Sequence, residues 1–497
     1  MPPAPTVYVA DATNDSSNAR MTAWALEGLI NQAGAEAYVI SRPEDQEQLS
    51  ASGKPSVRLP SRAGADSGLR TLFSKYAIHV KTMILYDPAR DWTFDLAVMA
   101  SAQGQGIPVT PQIQATLASE FGWRGQVLDM RGIGKTRIEG YDWALQHLMP
   151  TCTRKVLFVF DLNKPIVDYA VASKGFLFWL DFKKDDELSE AKKIFATKGY
   201  TVGTSLMGYA SNGDNANTFA NPFGIGYVVS DFFANASFWS SFPDKTYKQS
   251  LGTPIDAVSG KIYVTMNWSD GDNISFDQHR TYRLWHAPTR GTIPIGTTIA
   301  PSLQELAPPL LDWYYSKLTH NDELISGPSG VQFIFGDLYN PTLYPAWCAL
   351  SRDWVADAGL HAAYFWKTFY PGDKFKTCSH IMNLTGILQS DSNHFVTQAK
   401  VELGTPVVDG DKPFRSEQAL YDSLANIPPH PDRPSFVNRD LGVQGFDDDG
   451  YVKVQRVVDR LNATYPGRFV FLLPKDLFAT IRKYYHLPLA PEQTPHP

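Results

Sequence analysis

Cysteine is scarce: the 497 residues hold three, Cys152, Cys348 and Cys378. They show neither CxxC spacing nor a Cys/His ligand pattern, which excludes a disulfide framework and a zinc site. A single bridge, for example Cys348–Cys378, stays open. Long apolar runs are also missing. None approaches the roughly 20 residues that cross a bilayer, so no membrane span is expected. No basic stripe stands out against a formal net charge of −6, and nucleic acid is not an expected partner. Residues 1–10 lack the charged and apolar regions of a signal peptide. There is no G-x-S-x-G elbow for an esterase and no G-x-G-x-x-G opening a helix. Gly132-Ile133-Gly134-Lys135-Thr136 lacks the earlier glycine of a phosphate loop. No cofactor is expected. The sequence sets no oligomeric state.

What is present is a normal globular balance, 43 % hydrophobic and 19 % charged. The length calls for two or three domains. Frayed ends are expected at Pro2-Pro3 and Pro491–Pro497. Aromatics reach 13 %, with 12 Trp and 23 Tyr. Such rings stack on the C–H faces of sugars, and they also fill cores and domain interfaces.

Apolar periodicity divides the chain at about residue 250. Residues 1–250 alternate short strands (Val7–Ala10, Ala37–Ile40, Met83–Tyr86, Val156–Phe160) with helical stretches such as Asn18–Asn31, and predict an α/β region. Residues 251–490 carry seven strand-like runs: Ile262–Met266, Ile293–Thr297, Val331–Phe335, Ala362–Trp366, Gly386–Gln389, Ser435–Val437 and Phe469–Leu473. Helix-like segments fill most gaps, including Ser302–Lys317, Trp347–Ala358, Ser416–Leu424, Tyr451–Leu461 and Lys475–Tyr485. The expected fold is a seven- or eight-stranded β/α barrel of TIM-like type, with an open doubly wound sheet as the alternative.

In such folds chemistry sits at the C-terminal ends of the strands. That rule selects Ser269-Asp270-Gly271-Asp272-Asn273 after the first run and Gly336-Asp337 after the third. It also selects Lys367, Asp391 and Asn438-Arg439-Asp440. Glycoside hydrolysis needs two carboxyl groups, one to protonate the leaving oxygen and one as nucleophile or base. Asp270 and Asp272 are of the right type, and the flexible Gly271 lets both reach one cavity. The competing reading is a polar turn that satisfies its own backbone. Asp337 is the expected third catalytic carboxyl, and a turn or cap is its alternative. Expected substrate contacts are Asn273, His279, Trp285 and Arg290, followed by Asn321, Asp322, Trp366, Asn438 and Asp440. Arg290 would clamp an anionic group or make a structural ion pair. Trp285 and Trp366 would serve as sugar platforms or core residues. His279 and His286 lie seven apart, a poor match to metal-ligand spacing, and no metal site is expected. Asp447-Asp448-Asp449-Gly450 has part of a calcium loop and better suits a helix start.

Several of these segments carry a resemblance. Trp268-Ser269-Asp270-Gly271-Asp272-Asn273 is similar to the Ser-Asp-Gly-Asp-Asn signature of the glycoside-hydrolase-like proteins named for a GxGYxYP motif. Trp285…Arg290-Gly291-x-x-Pro294, Trp313-Tyr314-Tyr315, Asn321-Asp322 and Gly327-Pro328-Ser329-Gly330 follow in the family's order. Leu26-Glu27-Gly28-Leu29-Ile30-Asn31, Asp168–Ala172 and Ser230-Asp231…Asn235-Ala236-Ser237 resemble its N-terminal segments. The name motif itself departs: Gln332 replaces the second Gly, Phe333 and Phe335 replace both Tyr, and Gly336 replaces the Pro. The resemblance implies hydrolysis of a poly- or oligosaccharide outside the cytoplasm. The altered motif keeps open a non-catalytic carbohydrate-binding protein, and the family's resemblance to barrels that include polysaccharide deacetylases keeps open a metal-dependent polysaccharide deacetylase. Asn-x-Ser/Thr sites at Asn14, Asn235, Asn267, Asn273, Asn383 and Asn462 permit glycosylation in a secretory host.

Overall fold

The computed structural model describes residues 6–366, 372–390, 397–411, 413–414, 416–446 and 448–488. The sequence features at Pro2-Pro3, Lys367, Asp391, Asp447 and Pro491–Pro497 lie outside the described residues. The chain folds as two compact units. One runs to Asp244 and takes in Glu305–Trp313; the other holds Lys245–Gln304 and the chain from Tyr314.

The first unit is built from three small parallel sheets. β1 (Val7–Asp11) lies between β2 (Ala37–Ile40) and β3 (Ser56–Arg58); β4 (Thr82–Leu85) lies between β5 (Gly106–Val109) and β6 (Gln126–Asp129). The third sheet orders β7 (Val156–Val159), β8 (Phe176–Phe178), β9 (Ser205–Gly208) and β10 (Gly226–Val229) as β10-β9-β7-β8. The helix Ser17–Asn31 starts where the Ser16 side chain accepts the Ala19 amide at 3.4 Å, and it is buried on nearly every side. Its Gly28 is dictated by packing, because a Cβ there would lie 2.0 Å from the Asp168 carbonyl oxygen. Asn31 ties three segments together: it accepts the Ala37 amide at 2.9 Å and donates to the Ala37 carbonyl and Ser237 Oγ, each at 3.0 Å. Asp168 accepts the Ser237 amide at 2.7 Å, and burial pushes its carboxyl up to about 7. The segments around Leu26, Asp168 and Asn235 thus meet in a buried polar node that holds the unit together.

The second unit contains β11 (Ile262–Trp268), β12 (Ile295–Ile299), β13 (Asp322–Ser326), β14 (Ala362–Trp366), β15 (Gly386–Ser390), β16 (Lys400–Glu402), β17 (Thr405–Asp409), β18 (Ser435–Leu441) and β19 (Phe469–Phe471). They form one sheet ordered β16-β17-β15-β14-β13-β12-β11-β18, with β19 pairing on β11. Neighbours run parallel except β16 against β17. The sheet curls: single bridges link Gly410 to Asn438 and Phe414 to Leu441, next to the ends of β17 and β18.

Side chains alternate across it with the two-residue period of a strand. Ile262, Val264, Met266 and Trp268 pack outward against Leu420 and Leu424 of the helix Glu417–Ala425 and Val454, Val457 and Leu461 of the helix Gly450–Thr464. Tyr263, Phe436, Tyr364, Leu388 and Val408 face the other way. They meet Leu477, Phe478 and Ile481 of the helix Pro474–Tyr484.

One expected strand needs correction, and two features of the sheet go beyond the expectation. The third run, Val331–Phe335, is not a strand. The strand is Asp322–Ser326, whose two leading acids hide it from an apolar scan, while residues 331–335 form a buried irregular segment beyond its end. β17 has no counterpart among the predicted runs. Where a seven- or eight-stranded β/α barrel is expected, the described residues form a curled, largely parallel sheet in which β16 is antiparallel to β17 and β19, expected as a strand of the ring, pairs on β11 off the main order.

Candidate functional site

The candidate active site sits where β11 and β18 end side by side. Their register pairs Thr265 with Asn438 and Asn267 with Asp440. All four residues are fully buried and lie on the face opposite the outward-packed helices. Asp440 accepts hydrogen bonds from Tyr364 Oη, reaching over from β14, and from Ser390 Oγ at the end of β15 at 3.0 Å. Strands far apart in the sheet order therefore converge on one carboxyl group. Burial pushes Asp440 up to about 7; the hydrogen bonds from Tyr364 and Ser390 pull it down, and the negative charge of Asp270 pushes it up. Asn438 donates to the Gln389 carbonyl at 3.3 Å. Between them, Arg439 points outward, where its guanidinium donates to Ser423 Oγ at 3.1 Å and to its carbonyl at 3.0 Å.

The motif after β11 forms a tight turn against β12. Asp270 holds a left-handed backbone, φ +69°, a conformation that non-glycine residues adopt at a cost and that clusters at functional sites. Gly271 is obligatory because a Cβ there would lie 2.2 Å from the Thr298 carbonyl carbon. Its amide donates to Thr298 Oγ1 at 2.9 Å, and that hydroxyl donates to the Trp268 carbonyl at 2.9 Å. Asp270 and Asp272 are half-buried. Asn273 caps the helix Ile274–Gln278, accepting the Phe276 amide at 3.2 Å. Its side chain has a structural task.

Other expected site residues lie elsewhere. Arg290, Asn321 and Asp322 gather at the N-terminal end of β13, opposite the strand ends. Arg290 Nη1 pairs with Asp322, whose Oδ2 also accepts the Thr319 amide at 2.9 Å, and Asn321 donates to the Gly291 carbonyl at 2.9 Å. The physical reason is position on the strand: Asn321-Asp322 enters β13 rather than leaving it. Trp285 is a core residue, with its indole N–H on Thr297 Oγ1 at 3.3 Å and its ring edge-on to Tyr314 at 4.7 Å. His279 is buried at the end of the helix Ile274–Gln278. Trp366 ends β14 partly exposed, edge-on to Tyr364 at 5.4 Å. Asp337 stands on an exposed turn in the loop between β13 and the helix Tyr344–Asp357. The altered motif, residues 330–336, is buried in that loop, with Phe333 and Phe335 edge-on at 5.5 Å.

Sequence reading missed Tyr364, Ser390, Asn267 and Asp277. The first three alternate inward on predicted strands or at their ends, so strand parity was the available signal. Asp277 lies in the helix after the motif; burial raises its carboxyl well above the usual range, and it accepts the Ala300 amide at 3.2 Å. The Cys348–Cys378 bridge is absent: all three cysteines are buried thiols. Asn235 and Asn267 are buried in the fold.

Fold and site define the class: an α/β protein of several parallel sheets with a buried carboxyl at its strand ends. Three family models match it. They are described as "GxGYxYP putative glycoside hydrolase C-terminal domain" over residues 260–477, "GxGYxYP third domain" over 156–241 and "GxGYxYP_N second domain" over 80–152. The chain belongs to the GxGYxYP family. A crystal structure titled as a putative hydrolase from Bacteroides thetaiotaomicron shares its fold, with TM-score 0.82 and 18 % identity over 98 % of this chain and 96 % of that one. A structure titled as a putative polysaccharide deacetylase from Mycobacterium smegmatis aligns with TM-score 0.30 and 10 % identity over 50 % of this chain and 100 % of that one. No curated protein matches the chain.

Proposed function

We propose that the chain is a glycoside hydrolase that cleaves a poly- or oligosaccharide at the strand ends of its second unit. The curled sheet is read as a seven-stranded barrel of β11–β15, β17 and β18. Asp440 is the general acid, and Asp270 is the second carboxyl, acting as nucleophile or base; Asp272, in the same turn, is its alternate. One observation carries this reading: a fully buried carboxyl, raised to about 7, that feels the charge of Asp270 at the end of a parallel strand. A carboxyl protonated near neutral pH can pass its proton to the leaving glycosidic oxygen while its ionised neighbour attacks or activates water. Desolvation and a like charge are the two effects that keep such an acid protonated.

The test is release of reducing sugar and of acetate from a glycan panel. Reducing ends released by the native protein and lost in Asp440→Asn support the reading. Acetate alone would establish deacetylation, and binding without either product a carbohydrate-binding role. The working place is proposed to lie outside the cytoplasm. Fractionation of the native host that recovers the protein only in cytosol would overturn that part.

A further inference from the structure

A cleft of about 550 Å³ opens in the first unit, among the starts of the helices Ser17–Asn31, Ser67–Tyr76 and Pro111–Phe121. It lies past the C-terminal ends of β1 and β5, where open parallel sheets receive their ligands. Its volume falls within the roughly 300–1,000 Å³ of small-molecule sites. The frame is fixed by side chains. Thr22 Oγ1 donates to the Pro108 carbonyl at 2.8 Å, tying the first helix to β5. Arg70 Nε and Nη2 donate to the two Glu120 carboxylate oxygens at 2.6 and 2.8 Å, joining the second helix to the third. The polar lining is accessible: Asn18 and Arg70 are half-buried, and Gln112, Thr116 and Glu120 are exposed. Leu69, Ile113 and Leu117 line the interior and are buried.

The charged groups of this cleft are already engaged. Besides its pairing with Glu120, Arg70 donates through Nη1 to the Ala63 and Ala65 carbonyls at 2.7 and 3.2 Å. Asp66 accepts the Ser16 amide at 2.8 Å. The helix starts are capped as well. Asp15 accepts the Gly68 and Leu69 amides at 3.0 and 2.7 Å, Thr110 Oγ1 accepts the Ile113 amide at 3.2 Å, and Ser16 Oγ accepts the Ala19 amide at 3.4 Å. A free anion would find neither an uncapped helix start nor an unpaired cation among the lining residues. What stays open is neutral. The Asn18 Oδ1 accepts Tyr86 Oη at 3.2 Å. Its carboxamide N–H₂, the Gln112 carboxamide and the Thr116 hydroxyl have no hydrogen-bond partner among the described residues.

We propose that this cleft binds a neutral sugar unit through Asn18, Gln112 and Thr116, as a non-catalytic site of the first unit. A sugar hydroxyl both donates and accepts, which suits carboxamide and hydroxyl partners. Its C–H faces suit the aliphatic interior. The inference goes beyond the hydrolase reading, because the first unit carries none of the carboxyls assigned to catalysis and binding here needs no cleavage.

The experiment measures binding of glucose, galactose, mannose, xylose, N-acetylglucosamine and inorganic phosphate to the full chain, by saturation-transfer NMR and calorimetry. The proteins are the native chain, Asp440→Asn, Gln112→Ala and Thr116→Trp, each with its unliganded Tm. At least one sugar should bind the native chain and Asp440→Asn alike. Gln112→Ala, which removes one hydrogen-bonding group, should weaken it by about threefold or more. Thr116→Trp, which fills the cleft, should weaken it by at least about tenfold. Both positions are exposed, so unliganded Tm should hold; if the larger residue lowers it, Gln112→Ala alone decides. No bound sugar, equal affinity in the native chain and the deciding variants, loss of binding in Asp440→Asn, or displacement of the sugar by phosphate would overturn the proposal. Sugar bound in the cleft with no glycan cleaved would sink the hydrolase reading and leave this one standing. Cleavage without binding in the cleft would do the reverse.

Discussion

Asp440 and Asp270 stand in a relation that titration can read. Asp440 is raised to about 7, so its protonated, acid-competent form dominates below that pH and is lost as pH rises through it. Asp440→Asn should lower turnover by at least about 10²-fold and abolish the alkaline limb of the rate profile. The charge of Asp270 pushes the Asp440 carboxyl up. Asp270→Asn should therefore move that limb to lower pH in whatever activity remains, and a limb that stays in place would break the link between the two. Gly271 makes a different claim. With a Cβ that would lie 2.2 Å from the Thr298 carbonyl carbon, Gly271→Ala should cost about 1–3 kcal/mol or more in urea unfolding. These residues differ in how visible they were. The Asp-Gly-Asp-Asn string stands out in the sequence by its chemistry. Asp440 is a lone acid in a strand, and only the arrival of Tyr364 and Ser390 from distant strands makes it unusual.

At the scale of strands and helices, the apolar runs located most of the second unit because buried parallel strands are rich in apolar residues. The scan failed at β13, which opens with Asp322 and Glu323. Both acids are buried at the N-terminal end of the sheet, and each has a structural partner. Asp322 is 1 % and Arg290 12 % exposed at the side chain. Removing one member of so buried a pair leaves the other uncompensated. Asp322→Ala should cost about 3–5 kcal/mol in stability without changing turnover per folded molecule. A normal Tm with lost activity would return the pair to the active site. Glu323 accepts the Lys475 amide at 2.7 Å, fixing the start of the helix Pro474–Tyr484, and burial raises its carboxyl from 4.5 to about 8. The unfolded chain gives up this proton near 4.5 while the folded chain holds it to about 8. Stability should therefore fall as pH rises through that window. Glu323→Gln should flatten this decline in Tm measured from pH 5 to 8.5. An unaltered slope would show that Glu323 does not contribute to it.

For the whole molecule, the three thiols give a simple readout. Cys152, Cys348 and Cys378 are buried and free, and burial raises the Cys378 thiol well above its usual range. A thiol reagent should label none of them in the native protein and all three in denaturant, with identical mobility under reducing and non-reducing conditions. Rapid native labelling would contradict the packing of the helices that carry Cys348 and Cys378. The sequence by itself determined the alternation of strand and helix, the place of the Ser-Asp-Gly-Asp-Asn turn after β11, and family membership, because these depend on local periodicity and contiguous residues. Only the tertiary structure decided that Arg290 and Asp322 lie at the end of the sheet away from Asp440 and that Trp285 is core. It alone joined Asp440, Tyr364, Ser390 and Asn267 in one buried cluster. Those outcomes depend on strand direction, side-chain parity and the curl of the sheet, which bring together residues up to 173 positions apart in the chain, from Asn267 to Asp440.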